Sequence, residues 1–305
     1  MTESAIEIPE TPAPQSSMPI RDVAEKTGVN PVTLRAWERR YGLLTPLRTP
    51  KGHRLYRQKD VERIIQIQQW LNRGVAVSQV KPLLEDTQSL TQAPSDSSDS
   101  TTDWQPTLNE ACSALLHGQI SRFDQTVNQI GAIYPVSLLV RFFWLPLMDW
   151  LNQQSDSERR MLAEIQLEGY LRSRAGARML HRQPPGQQQH KLLITQLPSQ
   201  QPQILPWLAV LACIDRNIPV ITLEQLPSWS LLHLMSEQQA ISGLLLFSND
   251  RLPKLKAREQ QQVNSLSFPC YLSGPASALP QEQLTDKQWH VNSDWLTVLE
   301  QLKLS

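Results

Sequence analysis

Apolar residues first fall into register at Ile20, Val23 and Ala24, one helical turn apart, and the run stops at Gly28. This predicts a short helix closed by glycine. Asn30 and Pro31 come next, an N-cap residue and a proline suited to a first helical turn. Leu34, Trp37 and Tyr41 then recur at i, i+3 and i+7, so a second helix runs to about Tyr41 with that stripe facing inward. Two short helices joined by a tight glycine-containing turn form a helix-turn-helix. Beyond Gly42, two short extended runs flank Thr49-Pro50-Lys51-Gly52, a turn by its proline and glycine, and predict a β-hairpin, or wing. A helix from about Asp60 carries Val61, Ile64, Ile65 and Leu71 on its core face and closes at Gly74. A short helix capped at Ser78 follows, and the unit ends near residue 86.

The pattern changes twice more. Residues 1–17 are polar and proline-rich, a disordered tail, and 87–103 read as an acidic flexible linker with almost nothing to bury. Residues 104–182 are helical in period, and "RQPPGQQQH" (182–190) breaks that run. After it, short apolar runs bounded by turn residues read as buried strands: 191–197, 219–224, 241–248, 268–274 and, less fully apolar, 289–292. Helix-length segments alternate with them at 202–216, 228–239, 253–265 and 293–303. That alternation implies a parallel sheet with helices on both faces over 190–305. The fold class is therefore multidomain: a winged helix-turn-helix, a helical bundle, and an α/β parallel sheet.

Charge sharpens this reading. The 305 residues are neutral overall, with 29 Lys/Arg and 29 Asp/Glu. Residues 18–86 nevertheless carry 13 bases against 7 acids, net +6, while 1–17 and 87–103 carry three acids each and no base. A basic module between acidic segments points to a polyanion for that module alone. Arg35 and Arg39 lie one turn apart on an outward face of the second helix. Arg48, Lys51, His53 and Arg54 fall near the tip of the wing. A groove-reading helix with cations on both sides suits a DNA duplex.

Three cysteines, Cys112, Cys213 and Cys270, are far apart with no metal-ligand spacing. The N-terminus lacks the basic and apolar regions of a signal peptide, and the apolar runs are too short to span a bilayer. No nucleophile–base pair, phosphate-binding glycine loop or metal cluster stands out. The expectation is a cytoplasmic protein that is not an enzyme and has no membrane partner.

The stretch "NPVTLRAWERRYGLLTPLRTPKGHRLY" (30–56) resembles the MerR family of transcription regulators, in the branch that joins this head to a cobalamin-binding-type domain. The resemblance covers about residues 18–86. It implies that Thr33, Arg35 and Arg39 lie on the major-groove face, that Arg35 and Arg40 meet phosphates, and that His53, Arg54 and Tyr56 belong to the wing. With Tyr41, Arg48 and Lys51 these are the candidate DNA-contacting residues. It also implies an activator that binds promoter DNA as a homodimer, distorts it, and works with RNA polymerase on the nucleoid. Many members dimerise through a long coiled coil, but no apolar heptad follows Leu84 here.

The helical segment and the α/β segment together resemble the cobalamin-binding module, a four-helix cap over a flavodoxin-like sheet. Members that bind the cofactor carry Asp-x-His-x-x-Gly after the first strand. The matching residues 196–203, "QLPSQQPQ", hold none of these. Where the cap of light-responsive members has Glu-His after a tryptophan, Trp150 is followed by Glu164-Ile165. Ser248 and Ser273-Gly274 match small residues of the fold, or are plain turn chemistry. His190 and His233 are misplaced as substitute ligands. No cofactor is expected, so the domain takes an unknown signal, contacts a partner or dimerises. A cobalamin-dependent light-responsive repressor and a cobalamin-module enzyme remain as alternatives.

Overall fold

The computed structural model describes residues 17–85, 104–182, 190–199, 201–250, 252, 254–278, 289–291 and 294–301. The expected tail 1–17, all but its last residue, and the linker 87–103 lie outside the described residues. So does most of the break at 182–190. The chain forms two compact units, divided between Asp103 and Trp104.

In the first unit, strand β1 (Met18–Pro19) leads into α1 (Ile20–Thr27) and α2 (Pro31–Arg39). Gly28 ends α1 at φ +70°, and its N–H returns to the Ala24 carbonyl. A Cβ is disfavoured in that conformation, hence the glycine. The Asn30 side chain accepts a hydrogen bond from the Thr33 N–H at 2.9 Å, capping α2. The wing is β2 (Leu47–Arg48) paired antiparallel with β3 (Arg54–Tyr56). The opposite side of β3 pairs with β1, a strand that its two residues made too short to find from pattern. Helix α3 (Gln58–Asn72) buries Val61, Ile64, Ile67, Trp70 and Leu71. Ile65, expected on that face, is exposed, because the buried stripe runs through Ile64 and Ile67 instead. Ser78 lies inside a 3-10 turn (Val77–Gln79) that leads into α4 (Val80–Glu85), so it is not the cap of a separate helix.

The second unit opens with α5 (Gln105–Leu116), α6 (Ile120–Gly131), α7 (Val136–Leu139), α8 (Leu145–Asn152) and α9 (Ser157–Arg182). A π-helical segment, Val140–Trp144, joins α7 to α8 without a break. Pro146 supplies the reason: it has no N–H for the Phe142 carbonyl, and its ring would clash there in a regular helix. The sheet follows: β4 (Lys191–Gln196), β5 (Val220–Thr222), β6 (Ile241–Phe247), β7 (Cys270–Ser273) and β8 (Trp289–Val291). All four pairings are parallel, in the order β5-β4-β6-β7-β8. That is the flavodoxin-like order, with its switch point between β4 and β6. Helices α10 (Leu205–Asp215), α11 (Trp229–Gln238), α12 (Ala257–Asn264) and α13 (Trp295–Gln301) connect or follow the strands.

Alternation along β4 divides the core. Leu192 and Ile194 face one layer with α10, α13 and the helices of 105–182, whereas Leu193 faces the other with α11 and α12. Helix α10 is buried on every side from Pro206 to Ile214, which accounts for its unbroken apolar run. Helix α9 contributes Ala163, Leu167, Leu171 and Ala175 to the same layer at four-residue steps.

Candidate nucleic-acid interface

Helix α2 and the wing are built around a single acid. Glu38, on α2, accepts from Arg48 Nη2 at 2.7 Å and from Arg54 Nε, joining the helix to both wing strands. Burial pushes its carboxyl up in pKa. The hydrogen bonds and charges of Arg54 and Arg48 outweigh that and hold it below the usual glutamate value. Sequence reasoning missed this role. The available signal was that Glu38 is the one acid among the bases of 30–56.

The predicted residues sort into three groups. Arg35, Arg39, Arg40, Lys51 and His53 are exposed, and among the described residues none of them forms an ion pair. These side chains, with the half-exposed Arg48, can meet an external anion. Tyr41 is half-buried just past the end of α2. Thr33 and Tyr56 are corrected: both are fully buried, Thr33 among the core residues of α2 and Tyr56 at the end of β3. Burial pushes the Tyr56 hydroxyl up to about 12, so the ring is core material of the wing. Arg54 is also corrected in role. It is mostly buried against Glu38, so it positions the wing and does not project from its tip.

Lys81 was missed as well. It is exposed on α4 and reaches back to the C-terminal end of α2, where a Cβ on Gly42 would lie 3.5 Å from its Nζ. Nothing in the local sequence of α4 marks that approach. Only the packing of α4 against α3 brings it there. The arrangement is a positive surface of α2 and wing, in which Glu38 offsets one of the two charges of Arg48 and Arg54. Such a surface favours phosphates and leaves the outer face of α2 free to enter a groove.

In the second unit, the carboxyl ends of the strands are the place where this topology receives ligands. Gln196 ends β4 and is buried, and its Oε1 has no hydrogen-bond partner among the described residues. Ser248, after β6, donates to the Asp250 carbonyl at 2.6 Å. His190 precedes β4, at the amino end of the sheet, and His233 lies on α11 with its Nε2 3.5 Å from Glu237. Ile165 is exposed on α9. An amide, hydroxyls and an aliphatic chain supply no imidazole, the ring that a histidine would bring to cobalt. Among the described residues, no group of three or more His, Cys, Asp and Glu is placed to hold a metal. Burial pushes all three cysteine thiols up to about 12, away from nucleophilic use. No described helix is long and apolar enough to cross a membrane.

Residues 18–87 match the family described as MerR HTH family regulatory protein. The HTH-type transcriptional regulator MlrA of Escherichia coli is 35% identical over 144 residues, 47% of this chain and 56% of that protein. The HTH-type transcriptional repressor CarH of Myxococcus xanthus is 48% identical over 65 residues, 21% of this chain and 22% of that protein. The Mercuric resistance operon regulatory protein of Bacillus cereus is 37% identical over 65 residues, 21% of this chain and 49% of that protein. The chain thus spans about half the length, or less, of these relatives. The capped α2, the glycine-closed α1 and the wing are the structural content of the 18–87 match, so residues 18–87 form a MerR-type helix-turn-helix unit, similar over that region to MlrA and CarH.

Proposed function

We propose that this protein is a sequence-specific, DNA-binding transcription regulator that grips promoter DNA with α2 and the wing. The observation that carries this reading is the cluster of exposed, acid-free cations, Arg35, Arg39, Arg40 and Lys51, on one helix-and-hairpin surface that Glu38 holds rigid. Binding as a homodimer on a two-fold site, distortion of the duplex and activation with RNA polymerase follow from the family. Bending a site costs energy that protein–DNA contacts must offset, and clamped phosphate contacts suit that work. The reading places the protein in the cytoplasm on the nucleoid. The α/β unit then takes a signal other than cobalamin, a partner protein, or a second copy of the chain. The MlrA relative carries the name of a regulator, which gives no sign, and the CarH relative that of a repressor, so activation is proposed from the resemblance to the MerR family alone.

The test is selection of genomic fragments by the purified full chain, followed by titration of the enriched duplex. Arg35→Ala should weaken binding about tenfold and lower the slope of log affinity against log salt by about one, since a phosphate left without its arginine keeps its counterion. Absence of any enriched sequence, or an Arg35→Ala protein with unchanged affinity and salt slope, would remove this reading.

A further inference from the structure

We infer that Val32 reads the 5-methyl group of a thymine in the major groove, as a specificity-determining residue of α2. The inference rests on the DNA-binding reading and extends it from phosphates to a base. Val32 is the second residue of α2 and is 55% exposed, while Thr33 and Leu34 beside it are buried. Those two neighbours fill the inward side of the first turn, so packing makes no demand on Val32. Arg35 and Arg39 lie three and seven residues further on, both exposed, which puts all three side chains on one outward face.

A β-branched apolar side chain among cations on an open helix face gains nothing from water and lowers helix propensity slightly. Its position gives it a use. The N-terminal turn of a groove-entering helix carries the side chains that reach base edges. Thymine presents a methyl group there, and the side chains that meet it are apolar. The flanking arginines fix the register of the helix on the backbone, and Val32 tests for one methyl at that register.

The experiment uses the full chain and the duplex it selects from a random pool. Thymines are replaced one at a time by uracil, which removes only the methyl, and affinity is read by fluorescence anisotropy for the natural protein and Val32→Ala. At one thymine in each half-site, uracil should weaken the natural protein about fourfold, the worth of one buried methyl group. Val32→Ala should bind the thymine and uracil duplexes equally. Alanine is the stronger helix former and the site is exposed, so the variant should melt with the natural protein. The inference is overturned if uracil costs Val32→Ala the same factor as the natural protein. It is also overturned if no single thymine matters to a duplex that is otherwise tightly bound. Both results leave the DNA-binding reading standing, whereas failure to select any duplex removes the two together.

Discussion

Glu38 decides more than any other single side chain in the first unit. It anchors Arg48 and Arg54, one from each wing strand, and thereby sets where the wing stands beside α2. Glu38→Gln keeps the shape and loses the charge. It should destabilise the first unit by about 2 kcal/mol, the scale of hydrogen bonds to charged groups. The pH dependence has a defined sign. The carboxyl is held below its ordinary value of about 4.3, so its stabilisation is complete above that value and is lost as pH falls through the lower folded value. Urea unfolding of the full chain should therefore show the natural protein losing more stability than Glu38→Gln between about pH 5 and pH 3, the acid side of that range. Equal losses would show that Glu38 is not held by the two arginines in solution. Residue types and spacing pointed correctly to Arg35, Arg39, Arg40 and Lys51 as exposed cations. The family resemblance put Thr33 on the groove face and Tyr56 among the contacts of the wing, but both side chains are buried, since a one-residue step on a helix or strand turns a side chain from solvent to core. Arg54 was legible as a wing cation, but its engagement with Glu38 joins residues 16 apart and needs the hairpin to close first.

The elements themselves were largely legible, since caps, turns and periodicity are local. Gly28, Asn30-Pro31 and the 49–52 turn all act within a few residues of where they stand. The strands β4 to β7 fall inside their apolar runs, shortened by one to three residues at the ends, where the run continues beyond the pairing, and β8 falls inside 289–292. The π segment before α8 was not legible, although Pro146 is its cause, because a proline near a helix start usually marks the first turn of a new helix. Gly274 had two readings, family remnant or turn chemistry, and the structure supplies a packing reason. Its φ is +91°, and a Cβ there would sit 2.9 Å from the Ser248 carbonyl oxygen, a backbone atom that cannot swing aside. Gly274→Ala should destabilise the second unit by about 2 kcal/mol through steric clash and the left-handed backbone. Thermal melting of the full chain checks this, and an unchanged transition would mean that the β6 and β7 ends relax independently.

Across the molecule, the division of labour runs between two units, one carrying the cationic surface and the other the sheet. Within the second unit, the helices of 105–182 and the sheet share one apolar layer, with α10 buried between them. That layer should make them unfold together. Leu208→Ala, at a fully buried position of α10, should cost about 2–5 kcal/mol. Hydrogen exchange should show protection falling in α9 and β6 alike, with α3 unaffected. Loss confined to the sheet would contradict a common core. The sequence by itself determined the order and type of most elements, the parallel α/β class and the placing of positive charge in 18–86, because each follows from neighbours along the chain or from periodicity. Tertiary structure alone decided which cations remain free, which are spent on Glu38, that Lys81 returns to Gly42, and that Val32 stands exposed among arginines. Those outcomes depend on contacts between residues far apart in the chain, and periodicity cannot encode a partner on another element.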